Sequence, residues 1–215
     1  MEELAAARKR DKMNPHFLMN ILNVAAGLAY MEDASQTGEI VGLLVQMIRY
    51  QMKPDDEPVS LWEELEHVEH YLKIQKLRFE DKMSYEIIQT EGVGEQMTLP
   101  NTLLPFVENA VSQGILSRKG HGSIRIICYM DCGDCVIMIE DEGSGFSVKE
   151  LQKVYEPFRG HYEHSRVSSD IYMVRQRLIG QYGPQYDIRK TENGEQGTRI
   201  FMRIPQSVER AQYYV

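Results

Sequence analysis

Residues 14–31 read NPHFLMNILNVAAGLAYM, and this stretch decides how the first part of the chain folds. Its apolar residues recur at alternating steps of four and three, which is the spacing of one face of an α-helix. The residues of this apolar stripe are Phe17, Ile21, Val24, Leu28 and Met31. The stripe predicts a helix that packs against a partner helix. His16 shares a polar row with Asn20 and Asn23, so we expect its imidazole to point away from the core.

A second amphipathic helix is predicted over residues 36–52, joined to the first by a short polar turn. Ile40, Leu44 and Met47 supply its apolar positions, and Pro54 ends it because proline cannot continue a helix. The two helices therefore form a hairpin. A two-helix hairpin leaves apolar surface uncovered, which predicts a homodimer formed through the hairpin.

The rest of the chain mixes helices and strands. Ser60 and Glu63 form a capping-box pattern that begins a third long helix, and after residue 81 the alternation typical of strands appears. We predict further helices at residues 102–113 and 170–181, and strands at residues 83–89, 123–130, 135–140, 186–191 and 198–204. This order predicts an α+β fold with two domains, residues 1–80 and residues 81–215.

The composition restricts the function. The 215 residues include 24 basic and 32 acidic side chains, and the net charge of −8 argues against nucleic acid as a partner. The three cysteines fit a reducing compartment better than a disulfide framework. The most apolar stretch, residues 17–31, is too short to cross a bilayer, and no pattern typical of a secretory signal opens the sequence.

Three segments of the second domain are candidates for a nucleotide site. They are residues 108–109 (EN), 141–145 (DEGSG) and 194–198 (GEQGT). An asparagine oxygen can bind magnesium, an aspartate at a strand end can accept a hydrogen bond from an exocyclic amine, and glycines let the backbone approach a nucleotide closely. Each segment alone is common in turns. Their joint order is what indicates a nucleotide site.

With these segments in place, the chain resembles the LytS-like sensor histidine kinases. Residues 14–20 are similar to the phosphoacceptor motif of that family. The later family blocks correspond, in the same order, to residues 59–79, 104–114, 139–145 and 194–205. The resemblance implies an N-terminal helical hairpin for dimerisation and phosphoacceptance. It implies that an ATP-binding domain of the GHKL superfamily follows, built as a two-layer α/β sandwich.

The resemblance also implies a role for individual residues, with ATP and Mg²⁺ as cofactors. His16 matches the phosphorylated histidine, and Asn109 matches the asparagine that holds magnesium against the phosphates. The remaining nucleotide contacts correspond to Asp141, whose carboxylate would read the adenine amine, and to Gly143, Gly145, Gly197 and Thr198. Glu108 is the carboxylate nearest in sequence to the magnesium ligand, so we consider it a candidate catalytic base.

These roles imply a sensor histidine kinase of a two-component system. The γ-phosphoryl group of ATP would pass to His16 and then to an aspartate of a response regulator protein. The resemblance further implies the cytoplasmic portion of a cell-membrane receptor. We therefore expect an upstream sensing and membrane segment that this sequence does not include.

Several departures from the family pattern favour an alternative function, a nucleotide-impaired, kinase-like dimeric scaffold or regulatory binding module. They are Ser112, Gln113, Ser168, Asp170 and Met173, which stand where the family usually has cationic residues, glycines or asparagine. A carboxylate at the predicted start of helix 170–181 would repel phosphate. Four cations could compensate from the segment around the nucleotide, namely Lys119, Arg159, Arg166 and Arg175.

Two other patterns permit a metal. Cys128, Cys132 and Cys135 have the spacing of the iron–sulfur loop in radical SAM enzymes, but they straddle a predicted hairpin turn, so ordinary thiols are favoured. His67 and His70 lie three residues apart on the third helix. Their acidic neighbours indicate a solvated helix face instead of a metal site.

Overall fold

The structure is a computed structural model that describes residues 14–115, 121–143, 166–192 and 197–206. By packing, the chain divides into two compact units, Met1–Lys53 and Pro54–Val215. The sequence placed the boundary between residues 80 and 81 instead. The difference concerns the third helix, which we assigned to the first domain and which packs within the second unit.

Among its described residues, 14–53, the first unit contains two helices, α1 (Pro15–Met31) and α2 (Ser35–Gln51). Asn14 caps α1, because its side-chain oxygen accepts a hydrogen bond from the backbone N–H of His16 at 3.0 Å. Pro15 occupies the first helical position, where the missing amide hydrogen costs nothing. The predicted hairpin is therefore present, and α1 begins just before the histidine.

The two apolar rows of α1 have different surroundings. Ala29 is buried and Leu18 and Leu22 are half-buried, so this row faces α2. Every residue of the apolar stripe is 48% to 82% exposed. The stripe was predicted to pack against a partner helix, and within this chain α2 is not that partner. The neighbouring row takes that place and leaves the stripe uncovered.

The second unit begins with a short strand, β1 (Val59–Ser60), and helix α3 (Leu61–Phe79). The predicted capping box is present: the Ser60 hydroxyl oxygen accepts from the Glu63 N–H, and the Glu63 carboxylate accepts from the Ser60 N–H, both at 3.2 Å. This reciprocal pair fixes the start of α3.

The second unit contains a five-stranded sheet. The other strands described in the second unit are β2 (Met83–Gln89), β3 (Met97–Thr98), β4 (Gly122–Asp131), β5 (Asp134–Asp141), β6 (Arg189–Glu192) and β7 (Thr198–Pro205). The order across the sheet is β2-β4-β5-β7-β6, and β3 pairs separately with β1. The β2–β4 pair is parallel and the others are antiparallel. The sequence did not predict the β1–β3 pair, since each strand has only two residues.

Two further α-helices of the second unit lie among the described residues. Helix α4 (Leu104–Asn109) continues into a π-helical turn (Ala110–Ile115), and α5 (Arg166–Tyr182) follows the hairpin formed by β4 and β5. On the inner face of the sheet, alternate residues are buried: Ile124, Ile126, Ile137, Ile139, Ile200, Met202 and Ile204. The π-helical turn contacts β4 and β5, and α3 contacts β2. A helical layer on one sheet confirms the predicted α+β sandwich.

Candidate functional site

One end of the central strands brings two predicted site residues together. Asp141 is the last residue of β5 and Thr198 is the first of β7, and the two are partners in the antiparallel register. Both are buried, with 6% and 1% of their surface exposed. Since the period of a strand is two residues, both lie on the inner face with Ile139 and Ile200. A carboxylate therefore lies beside a hydroxyl at the edge of the core.

Gly197 has a steric reason to be glycine. Its φ is +107°, and a Cβ at this position would lie 2.1 Å from the backbone oxygen of Asp141. No side chain fits such a contact, and φ values of this sign are unfavourable for residues with a Cβ. The glycine therefore allows the backbone before β7 to approach the aspartate closely.

The Asp141 side chain also shapes the turn that follows β5. Its Oδ1 accepts a hydrogen bond from the backbone N–H of Gly143 at 2.8 Å. Such a bond two residues ahead is an Asx turn, which holds the chain in place without a regular element. Gly143 is buried in this turn. Gly145, the other glycine of segment 141–145, lies outside the described residues.

The Thr198 hydroxyl is a buried polar atom that the fold leaves without a hydrogen-bond partner within the described part of the chain. Leaving such a group unsatisfied costs on the order of 1–3 kcal/mol. Buried polar atoms of this kind commonly bind an ordered water or a ligand. A hydroxyl in this state, next to a carboxylate, fits a site for a polar heterocycle.

Asn109 ends helix α4 at the point where the α-helical turn becomes π-helical. Its side chain is buried at 6% exposure, and wide π-helical turns are frequent at functional sites. The Ser112 hydroxyl donates to the Asn109 backbone oxygen at 3.2 Å. Ser112, one of the departures from the family pattern, therefore supports the turn that carries the asparagine.

Glu108 is half-buried and lies near Tyr71 of α3. The pKa of Tyr71 is raised well above its usual value, first by burial and then by the negative charge of Glu108. Glu108 is thus placed by the same helix as Asn109. Its candidate role as a base stays a prediction.

His16 belongs to the first unit, and its side chain is exposed, as the spacing predicts. The hydrogen bond to Asn14 involves only its backbone, so the imidazole is available to solvent. An accessible, neutral imidazole is a competent nucleophile near neutral pH.

The structure changes the interpretation of the departures around α5. We expected Asp170 at the start of this helix, but α5 begins four residues earlier, at Arg166. The helix dipole acts within the first turn, so Asp170 does not stand at the helix end where the sequence placed it. Met173 is exposed. The side chains of Gln113 and Ser168 lie outside the described residues.

Arg175 is not available to compensate near a nucleotide. Its Nε and Nη2 each donate to one carboxylate oxygen of Asp187 at 2.6 Å, a bidentate pair. Lys119, Arg159 and the side chain of Arg166 lie outside the described residues.

The metal alternatives are not supported. His67 is buried, which contradicts the predicted solvated face, and desolvation lowers its pKa to about 4. Burial raises the pKa of the Cys128 thiol to about 12 and that of Cys135 to about 11, whereas Cys132 is exposed at the hairpin turn. Within the ranges that the structure describes, no three His, Cys, Asp or Glu side chains are grouped to hold a metal.

Sequence reasoning missed one buried charge, Glu64. It lies on the apolar face of α3 between Leu61 and Val68, at helical spacing from both. A carboxylate inside an apolar stripe was therefore a signal that a specific partner for it exists.

The fold and the site together define an α/β sandwich with a polar cradle at one end of its sheet, preceded by a helical hairpin. Residues 94–208 match the family of histidine kinase-, DNA gyrase B- and HSP90-like ATPases, and residues 4–83 match the histidine kinase family. The ATPase match covers more than half of the chain. The chain belongs to this ATPase family, and its order of domains is that of a sensor histidine kinase, which confirms the LytS-like resemblance.

Two relatives illustrate the match. Sensor histidine kinase BtsS of Escherichia coli (strain K12) is 28% identical over 194 residues, covering 90% of this chain and 32% of that protein. Sensor protein LytS of Oceanobacillus iheyensis is 29% identical over 206 residues, covering 95% of this chain and 35% of that protein. The chain thus spans about a third of the length of these relatives.

Among solved structures, Acinetobacter baumannii histidine kinase AdeS has the same fold, with a TM-score of 0.50 and 15% identity. The match covers 90% of this chain and 96% of that chain. None of the helices in the described part of the chain is both long enough and apolar enough to span a membrane.

Proposed function

We propose that this chain is the kinase portion of a two-component sensor. It autophosphorylates His16 from Mg-ATP and passes the phosphoryl group to an aspartate of a response regulator. The observation that carries the proposal is the cradle formed by Asp141, Gly197 and Thr198. Membership in the ATPase family supports ATP as the ligand that we propose for this cradle.

Each residue of the cradle has a distinct task. The Asp141 carboxylate accepts a hydrogen bond from the exocyclic amine of adenine. The Thr198 hydroxyl, which has no hydrogen-bond partner among the described residues, forms a hydrogen bond with the nucleotide. Gly197 keeps the neighbouring backbone close enough to close one side of the cradle. Asn109 would hold Mg²⁺ through its amide oxygen, and the ion would supply positive charge near the phosphates.

In the transfer step, one ring nitrogen of His16 forms a bond to the γ-phosphorus. The bond from that phosphorus to the β,γ-bridging oxygen breaks, and its electron pair leaves with ADP. The proton on the other ring nitrogen is then lost, and Glu108 is the proposed acceptor. Catalysis of this kind depends on positioning and charge neutralisation.

The partners follow from the uncovered apolar stripe of α1 and from the family. We infer that the stripe packs against a second copy of this chain, since contiguous exposed apolar surface marks an interaction site. Sensor histidine kinases generally dimerise and signal to response regulators. The membrane segment of the whole receptor would lie in sequence upstream of this chain.

The alternative function, a nucleotide-impaired scaffold, loses support at two positions. Asp170 lies in the second turn of α5, and Ser112 supports the Asn109 backbone. The two observations weaken the argument for the scaffold, and we favour the kinase.

The direct test is phosphorylation of the purified chain with Mg-ATP. The expected product is an acid-labile, base-stable phosphoprotein that the His16→Gln variant does not form. His70→Gln serves as the control, because His70 lies on α3 outside the proposed machinery. Retention of the label in His16→Gln would refute the assignment of His16, and a wild-type chain that binds no ATP would favour the scaffold.

A further inference from the structure

Glu64 of α3 is a fully buried carboxylate, with 0% of its surface exposed, outside the site described above. It accepts hydrogen bonds from three consecutive backbone N–H groups. The Asn101 N–H donates to Oε2 at 3.0 Å, and the N–H groups of Thr102 and Leu103 donate to Oε1 at 2.8 and 2.9 Å. These residues are 37 to 39 positions away along the chain.

The turn at residues 101–103 is built around this anion. Asn101 has a φ of +56°, the left-handed conformation that lets successive N–H groups converge on one point. Convergent N–H groups repel one another unless a negative charge satisfies them, and a buried carboxylate likewise requires compensating donors. The turn and Glu64 therefore depend on each other.

This turn leads directly into α4, the six-residue helix that ends at Asn109. So short a helix has little stability of its own, so its position follows from its attachments. On the other side of the turn, Arg177 of α5 donates to the Pro100 backbone oxygen at 2.9 Å. The Thr102 hydroxyl donates to the Leu99 backbone oxygen at 2.7 Å. Glu64 supplies three contacts to residues 101–103, immediately before α4 begins.

We propose that Glu64 is a positioning residue for the magnesium ligand of the nucleotide site. Glu64 fixes the position at which α4 begins and therefore the position of Asn109, without contacting nucleotide or metal itself. The inference rests on the proposed function, in which Asn109 binds Mg²⁺. Groups that orient a metal ligand from outside the coordination shell commonly change metal affinity or activity by roughly 10- to 100-fold when replaced.

The test compares two single substitutions on α3. Glu64→Gln keeps the shape and one acceptor oxygen but removes the charge, and Glu66→Gln makes the same change at an exposed position two residues away. Nucleotide affinity is measured with and without Mg²⁺. For Glu64→Gln we expect the Mg²⁺ concentration for half-maximal effect to rise by about 10-fold or more. The affinity for Mg²⁺-free ATP, which depends on Asp141 and Thr198, should change less than about twofold.

A purely structural role for Glu64 would lower both affinities together, and that result would overturn the inference. So would an unchanged Mg²⁺ dependence. The Glu66→Gln variant should match the wild type in both measurements.

A second measurement does not require nucleotide at all. Amide hydrogen exchange across residues 101–109 is compared in the nucleotide-free wild type and both variants. We expect faster exchange in Glu64→Gln at residues 101–103 that spreads to Glu108 and Asn109. If exchange accelerates in Glu64→Gln in this way but the wild type binds no ATP, the proposed function fails while the anchoring by Glu64 stands. If exchange at Asn109 is unchanged, the positioning role is wrong whatever the nucleotide result.

Discussion

The helical hairpin and the α/β sandwich differ in where their apolar side chains lie. In the hairpin, Phe17, Val24 and Met31 are more than half exposed, whereas in the sandwich Leu72 and Ile126 have no exposed surface. The sandwich completes its core within one chain. The hairpin cannot do so, because two helices have too few faces to cover each other. Its apolar stripe requires a further surface, and we propose a second hairpin.

The proposed functional side chains of the two units also differ in solvent exposure. The hairpin presents His16 to solvent, whereas the sandwich buries Asn109, Asp141 and Thr198. A nucleophile has to be accessible to more than one phosphoryl partner, while a nucleotide cradle has to be rigid before the ligand arrives. The difference in exposure supports our proposal that one unit supplies the fixed site and the other the accessible acceptor.

The largest expected effect tests the rigidity of the cradle. Gly197→Ala places a Cβ against the Asp141 backbone and an alanine at a φ of +107°, so we expect unfolding to become easier by about 4 kcal/mol. Gly133→Ala, at a φ of +88° with no atom within 4 Å of the new Cβ, should cost only about 1–2 kcal/mol. If chemical denaturation gave equal losses of unfolding free energy for the two variants, the close approach of residue 197 to the Asp141 backbone would not be a constraint.

The next effect concerns the buried His67 in the sandwich. Burial lowers its pKa from 6.5 to about 4, so between these values the unfolded chain binds more protons than the folded chain. Its contribution to stability is therefore complete above pH 6.5 and declines as the pH falls toward 4, by up to about 3 kcal/mol. Denaturation at pH 7 and pH 4.5 should show a smaller acid loss for His67→Leu than for the wild type. An acid loss for His67→Leu equal to that of the wild type would contradict this account.

A change in the hairpin tests the open apolar stripe. Val24→Glu puts a charge into the proposed dimer contact, which should weaken association by at least about tenfold. Asn23→Glu adds the same charge one residue away, on the exposed polar row, and should alter association much less. Sedimentation equilibrium measures both. A Val24→Glu chain that dimerises as well as Asn23→Glu would place the contact elsewhere.

The smallest effect probes the contact between the hairpin helices. A Cβ on Gly38 would lie 2.8 Å from the Tyr30 ring, which is partly exposed and able to shift. We expect Gly38→Ala to destabilise the hairpin by about 1 kcal/mol. Gly42→Ala, with no atom within 4 Å, should stabilise it by about 0.5–1 kcal/mol. Thermal melts that rank the two variants the other way would contradict the close packing.

Local features of the sequence predicted much of this architecture. The capping box at Ser60 is a contact between residues three apart, and the turn at Cys132 and Gly133 is set by its own left-handed backbone, with φ values of 52° and 88°. The strands β5 and β7 followed from alternation, and their ends carried Asp141 and Thr198. Patterns that act within a few residues can be interpreted from one chain.

Features that depend on distant contacts were not predictable in the same way. The pairing of Glu64 with residues 101–103 joins segments about forty positions apart, and the sequence did not distinguish which row of α1 faces α2, because both rows are apolar. The earlier start of α5 was missed because the residues before Asp170 carry no apolar periodicity. Tertiary packing decides such cases, and propensity does not.

The central claim is that the sandwich alone holds the nucleotide and that His16 serves only as the acceptor. Calorimetric titration with Mg-ATP of the wild type, His16→Gln and Asp141→Asn tests it most directly. Asparagine at position 141 can still accept from Gly143 N–H, but it loses the charge proposed to bind adenine. We predict that His16→Gln binds like the wild type and that Asp141→Asn binds about 10- to 100-fold more weakly. Equal affinity for the wild type and Asp141→Asn, or no binding by the wild type, would contradict the claim.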